Sequence, residues 1–197
     1  MSWTIESPEE TAKTELESVV KAALDANILL FCASDDQGNL NNMPYPACID
    51  ERIFWIGPAT ALGKPTDNAQ KGAMFIAPGA EGETPQENSD SRKPRVGSSI
   101  ATARCAGLAA LVLQCILLAP DGYSRSQVRK EEWVRKMFNR MTSNGRSNQN
   151  KTYKYLRVWK VFDEAKRSVP MDKDFNIIKC VADAFLKDVD EPRSLRN

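Results

Sequence analysis

Residues 96–112 read VGSSIATARCAGLAALV, a short polar turn followed by a long run of small and apolar residues. Gly97 permits a sharp turn, and the run predicts a buried helix that strands can approach closely. Ser99 falls at the start of that helix, where free backbone N–H groups and the positive end of the helix dipole would face its hydroxyl. That setting suits an oxyanion and therefore acyl transfer. The alternative is a serine that only caps a helix.

Three apolar runs precede this segment, each bounded by turn residues: ILLFCAS (28–34), IFWIG (53–57) and AMFIAPG (73–79). Continuous apolar runs of this length are typical of strands buried on both faces of a parallel sheet. Before them, Pro8 and the acids after it begin a helix of about 16 residues, with Ser7 as its N-cap and Asn27 at its end. We expect residues 80–95 to form a polar loop. Residues 1–119 therefore predict an α/β domain, a three-layer fold with a parallel sheet.

Residues 120–197 predict an α-helical C-terminal segment. An amphipathic helix is expected over 125–142, followed by a linker or exposed loop over 143–151. Tyr155, Leu156, Trp159 and Phe162 indicate another helix. Asp174 can cap a last helix that runs through Leu186.

The bulk composition excludes several functional classes. A net charge of +1 does not indicate binding to nucleic acid or to an acidic membrane, because such partners select strongly basic proteins. The first ten residues are too polar for a signal peptide, and no apolar run reaches the roughly 18 residues of a membrane span, so an intracellular location is favoured. The five cysteines are scattered, which favours buried free thiols. Without histidine or a CxxC pair, we expect no metal and no cofactor.

Five blocks of the sequence, in this order, resemble the subtilisin-like serine peptidase family. The serine segment of the family is usually written G-T-S-x-A-x-P-x-V-A-G, and Ala103 stands here at its usual proline. The blocks are MSWT (1–4), ILLFCASDDQG (28–38), YPA with IFWIG (45–57), MFIAPG (74–79) and GSSIATARCAGLAAL (97–111). The resemblance covers residues 1–119 and implies a partial peptidase domain there. For residues 120–197 it implies at most a helical extension of the kind expected in fungal members.

The resemblance implies a role for several residues. Ser99 corresponds to the nucleophile, and Asp36 to the asparagine of the oxyanion hole, although Asp35 in place of a glycine leaves that register open by one residue. Ser2, Trp3 and Thr4 correspond to the strand that pairs with the polypeptide substrate and lines its first specificity pocket. A carboxylate at Asp36 would repel a developing oxyanion, unless it is protonated or only the Ser99 N–H serves.

The sequence contains no histidine, although the family activates its serine with one. In the family the chain order of the triad is Asp, His, Ser, so both missing members would lie before the MSWT strand. The resemblance therefore implies that they belong to an absent N-terminal segment or to a partner chain. The alternatives are a non-catalytic remnant that serves as a binding module, and a truncated gene product.

Overall fold

The computed structural model describes residues 1, 4–5, 8–36, 43–60, 62–66, 72–79, 97–118, 130–146, 152–168 and 177–186. They form five α-helices, five strands and a short 3₁₀ turn. In chain order these are α1 (Glu10–Asp25), β1 (Phe31–Ala33), the 3₁₀ turn (Ala47–Ile49), β2 (Phe54–Ala59), β3 (Phe75–Pro78), α2 (Ser98–Leu118), α3 (Glu131–Met141), β4 (Thr142–Arg146), β5 (Thr152–Leu156), α4 (Val158–Ser168) and α5 (Ile177–Leu186).

The chain divides into two compact units. The first comprises Met1–Ala106 with Asn144–Tyr155, and the second comprises Gly107–Ser143 with Leu156–Asn197. The sequence-based division at residues 119 and 120 stays a prediction.

The centre of the first unit is a parallel sheet. The five strands lie in the order β1-β2-β3-β5-β4, and β1 with β2, β2 with β3, and β3 with β5 are parallel. Every residue of β1 and β2 is buried, as expected for apolar runs covered on both faces. The rings of Phe31, Phe54 and Phe75 stack across the three strands, with centroids 4.7 and 6.4 Å apart. The predicted α/β class and its buried parallel strands are therefore confirmed.

The first helix follows the sequence pattern except at its start. It begins at Glu10, with Glu9 in the N-cap position and no side-chain cap, while the predicted cap Ser7 lies outside the described residues. Asn27 has a φ of 58°, a left-handed conformation that asparagine tolerates and that ends helices. The apolar face of the helix buries Val20 and Leu24.

Two strands occupy a region where the sequence predicted a linker and a helix. The predicted loop at 143–151 overlaps β4, and Tyr155 and Leu156 lie in β5 rather than in the helix, which begins at Val158. The segment TYKYL is rich in residues that favour strands, and Tyr155 pairs with Ile76 of β3. That partner is 79 positions away in the sequence, so a local pattern cannot reveal it. The helical spacing of the apolar residues therefore led to a helix prediction that was wrong at Tyr155 and Leu156.

The predicted helix of small residues is α2, which starts at Ser98 and ends at Leu118. By length and composition it is apolar enough to cross a membrane, whereas the sequence reading expected no apolar run of that size. This is weak evidence for a span, because the core helix of a globular domain meets the same criterion. Ala101, Cys105, Val112 and Ile116 are buried along it.

The described parts of the second unit contain three packed amphipathic helices. The third helix starts at Glu131, later than the predicted residue 125, although residues 121–129 lie outside the described part. Its buried face carries Met137 and Phe138. Phe162 of α4 meets Phe185 of α5 edge to face, with ring centroids 5.8 Å apart. The predicted cap Asp174 is not among the described residues.

Candidate functional site

The carboxyl ends of β1 and β3, the two parallel strands on either side of β2, meet the start of α2. The chain leaves β1 through Ser34 to Asp36, and it leaves β3 at Gly79. Ligand sites in parallel α/β sheets lie at this edge of the sheet, beyond the carboxyl ends of the strands. The residues that the sequence singled out, Ser99 and Asp36, are therefore both at the edge where a site is expected.

Ser98 anchors the first turn of α2. Its backbone N–H donates to both carboxylate oxygens of Asp36, at 2.9 and 3.0 Å. Its hydroxyl donates to the carbonyl oxygen of Ser34 at 2.6 Å, and the residue is only 2% exposed. These bonds join positions 62 and 64 residues apart, so they fix the start of the helix on the end of β1.

Ser99 is placed differently from its neighbour. Successive residues of an α-helix are turned by about 100°, and Ser99 is only partly buried whereas Ser98 is fully buried. Of the two serines, Ser99 is thus the one with access to solvent at the N-terminus of a 21-residue helix. Its position at the helix start agrees with the sequence-based prediction, and its catalytic role stays a prediction.

Two glycines allow the loops around the helix start to touch. The Gly97 N–H donates to Gly79 O at 2.9 Å, and the Gly79 N–H donates to Ala59 O at 3.0 Å. A Cβ atom on Gly79 would lie 2.7 Å from Cβ of Pro58 and 2.9 Å from Gly97 O. No side chain fits that space, which explains the glycine that follows β3.

Arg104, six residues after the first residue of α2, reinforces this contact. Its Nη1 donates to the carbonyl oxygen of Pro78 at 2.8 Å. The start of α2 is therefore bonded to the ends of both β1 and β3.

Asp36 is an acceptor in this structure. Its carboxylate receives the Ser98 N–H, as a helix-capping anion does. A Cβ atom on Gly97 would lie 3.1 Å from Oδ2 of Asp36, so the glycine leaves room for the carboxylate. Asp36 is thus a residue that bonds to the helix start, and its correspondence to the oxyanion asparagine stays a prediction. A carboxylate in this state offers no hydrogen to an oxyanion.

Sequence reasoning missed two buried hydroxyl groups near the helix start. Ser34 and Thr102 are each 2% exposed, and their hydroxyl oxygens have no hydrogen-bond partner among the described residues. Ser34 follows β1, and Thr102 lies one turn after Ser98 on α2. A serine closing the run ILLFCAS and a threonine inside a helix of small residues were the only signals in the sequence.

The predicted substrate strand is described only in part. Ser2 and Trp3 lie outside the described residues, and Thr4 is partly buried. On one side of it, the amino group of Met1 donates to Phe31 O, and the Ala33 N–H donates to Met1 O at 3.1 Å. Met1 therefore pairs with the outer edge of β1.

On the other side of Thr4, the chain forms a second pairing. Ile5 forms an antiparallel bridge with Tyr45, in which each backbone N–H donates to the other residue's carbonyl oxygen, at 3.2 and 3.0 Å.

Two other side chains with reactive groups, Cys105 and Glu131, have evident structural roles. Burial raises the pKa of the Cys105 thiol to about 12, so it remains protonated near neutral pH. Glu131 pairs with Arg135 within α3. Among the residues that the structure describes, no group of three or more His, Cys, Asp or Glu side chains could hold a metal ion.

The parallel sheet and the helix that begins at Ser98 form an α/β fold of the subtilisin-like kind, and solved protease structures share it. A lanthipeptide protease superposes with a TM-score of 0.60 at 16% identity, over 83% of this chain and 61% of that chain. The prenylagaramide maturation protease PagA gives a TM-score of 0.56 at 21% identity, over 76% of this chain and 52% of that one.

The patellamide maturation protease PatA has a TM-score of 0.53 at 23% identity, over 75% of this chain and 53% of its own. This chain thus spans between 52% and 61% of the length of these three proteases. No protein-family model and no curated protein matches the sequence.

Proposed function

We propose that this chain carries the serine-bearing part of a subtilisin-like serine endopeptidase, with Ser99 as the nucleophile. The observation that carries the proposal is the placement of a partly exposed serine at the start of a 21-residue helix. The preceding serine and glycine bond that start to the ends of β1 and β3. The fold shared with three proteases supports it. A helical extension of the fungal type over residues 120–197 stays a prediction.

In this proposal the hydroxyl oxygen of Ser99 attacks the scissile carbonyl carbon of a polypeptide. The carbonyl π electrons move to oxygen, and the Ser99 backbone N–H stabilises the resulting oxyanion. The Ser99 proton must go to a base, which then returns it to the leaving amine as the peptide C–N bond breaks and an acyl-enzyme remains. Water hydrolyses that ester and regenerates the serine.

None of the 197 residues is a histidine, so in this proposal a histidine base is supplied from outside them. A preceding segment or a partner chain that contributes the histidine and its aspartate would complete the site. Ser2, Trp3 and Thr4 would pair with the substrate backbone and line its first pocket, beside the Met1 backbone that already pairs with β1.

A second candidate is a non-catalytic module that binds peptides at the same edge of the sheet. The absence of histidine from the sequence and the carboxylate at the start of α2 favour it. Both candidates use the same fold, and they differ in whether Ser99 can be activated.

Labelling of the purified chain by a fluorophosphonate, with and without added imidazole, distinguishes the two. Free imidazole can act as the missing base, so we expect labelling that rises with imidazole concentration and is lost in Ser99→Ala. Ser18→Ala, which removes an exposed serine of α1, should label like the unsubstituted chain. A folded chain that takes up no probe at any imidazole concentration would favour the binding module.

A further inference from the structure

The positive end of the α2 dipole is already occupied by an anion of the protein itself. Both oxygens of the Asp36 carboxylate accept the Ser98 N–H, at 2.9 and 3.0 Å, one residue before the proposed nucleophile. The aligned peptides of a helix place roughly half a positive charge at its N-terminus. Asp36 therefore neutralises the field that an oxyanion on the neighbouring residue would use.

We infer that Asp36 acts as a built-in brake on acyl transfer, which holds the start of α2 in place and disfavours the oxyanion beside it. The inference rests on the proposed function of Ser99. Two physical effects act in the same direction. A full negative charge close to a developing oxyanion raises the energy of that oxyanion, and a carboxylate has no hydrogen to donate to it.

The contact is built into the local backbone. Gly97 leaves 3.1 Å between its would-be Cβ and Oδ2 of Asp36, and the buried hydroxyl of Ser98 holds the helix start against Ser34. The carboxylate thus lies against a fixed helix end. Its removal has two separate consequences, a weaker cap and a restored positive field, and these can be measured independently.

Asp36→Asn separates the two consequences, because the amide has nearly the same shape. Its oxygen can still accept the Ser98 N–H, while its NH₂ group can donate to an oxyanion. We expect imidazole-supported fluorophosphonate labelling of Ser99 to become about 100-fold faster, within the range that one oxyanion-hole donor contributes. The melting temperature should fall at the same time, since a charged cap is lost.

A purely structural role for Asp36 predicts the opposite change in rate. A weaker cap would loosen Ser99, so the labelling rate would fall together with the melting temperature. Asp163→Asn provides the matched control, because it removes one charge from an exposed aspartate of α4. We expect neither quantity to change in that variant.

A second measurement does not depend on catalysis. Inorganic sulfate binds at helix N-termini that are free of other anions, so sodium sulfate should raise the melting temperature of Asp36→Asn relative to sodium chloride at equal ionic strength. The expected gain is about 2–4 °C when sulfate is at about five times its dissociation constant. The unsubstituted chain and Asp163→Asn should gain nothing specific to sulfate.

The outcomes separate this inference from the proposed function. Slower or unchanged labelling of Asp36→Asn, while the unsubstituted chain labels at Ser99, overturns the brake and leaves the peptidase proposal intact. No labelling of any variant, with sulfate stabilising only Asp36→Asn, rejects the peptidase proposal and keeps Asp36 as the occupant of the anion site. If no variant is labelled and sulfate does not stabilise Asp36→Asn, both the peptidase proposal and the inference about Asp36 are overturned.

Discussion

Gly79→Ala tests how closely β3 and the start of α2 must approach. The new Cβ would lie 2.7 Å from Cβ of Pro58 and 2.9 Å from Gly97 O, whereas non-bonded carbon atoms normally lie about 3.5–4.0 Å apart. The two loops would have to separate by about 1 Å. Pro58 is buried and rigid, and the Gly97 N–H is bonded to Gly79 O itself, so neither neighbour can move alone.

We expect Gly79→Ala to lower the free energy of unfolding by about 3 kcal/mol, the upper end of the usual cost of overpacking. For a chain of this size that corresponds to a fall in melting temperature of about 6–12 °C. Urea denaturation followed by far-ultraviolet circular dichroism measures the change. Gly107→Ala is the matched control, because nothing lies within 4 Å of its would-be Cβ. Alanine should stabilise that exposed position of α2 by about 0.5–1 kcal/mol.

The two substitutions are chemically identical and should have opposite signs. If Gly79→Ala changed the free energy of unfolding by less than about 0.5 kcal/mol, the size of an ordinary surface substitution, the close approach of Gly79 to Gly97 would be wrong. If Gly107→Ala also lowered the free energy of unfolding, alanine would be destabilising in these segments in general. The loss in Gly79→Ala could then not be assigned to the close approach of Gly79 to Gly97.

Three further predictions concern the core, the pH dependence and the thiols. Phe54→Ala should lower the free energy of unfolding by about 3–5 kcal/mol in urea denaturation, because its fully buried ring stacks on two others; a smaller loss than 1 kcal/mol would contradict the stacked core. A hydrogen bond from Arg52 lowers the pKa of Asp50. The stability difference between the unsubstituted chain and Asp50→Asn should therefore be full above about pH 4 and vanish as the pH falls through the folded-state pKa, as thermal melts at several pH values would show. Iodoacetamide at pH 8 should alkylate the exposed Cys48 before the buried Cys105; equal rates by peptide mapping would refute the burial.

The sequence predicted the parts of the fold whose signals are local. A run such as ILLFCAS is apolar at every position, which is incompatible with a half-exposed strand or a surface helix. The helix beginning at Ser98 was equally clear, because Gly97 and two serines precede a run of small residues. The edge of the sheet at which Ser99 lies then follows from the geometry of parallel strands.

The parts that could not be predicted depend on distant partners. The helical spacing of Tyr155, Leu156, Trp159 and Phe162 was real, yet pairing of Tyr155 with Ile76 places the first two in a strand. The orientation of the Asp36 side chain also depends on a distant partner, the Ser98 N–H. The resemblance implied only an oxyanion residue at this position, and a contact across 62 positions makes Asp36 a cap.

Gly97, Ser98 and Ser99 are adjacent in the sequence and have three different roles at the start of α2. Gly97 lacks a side chain, so the Asp36 carboxylate and the backbone of Gly79 can both reach the helix start. Ser98 uses its N–H and its hydroxyl entirely within the protein, which makes it unfit as a nucleophile and makes the next residue rigid. Ser99 is left partly exposed at a fixed helix end. Since its neighbours already fix its backbone, what decides its reactivity is the charge beside it and the base that reaches it, which are the two variables that Asp36→Asn and added imidazole change.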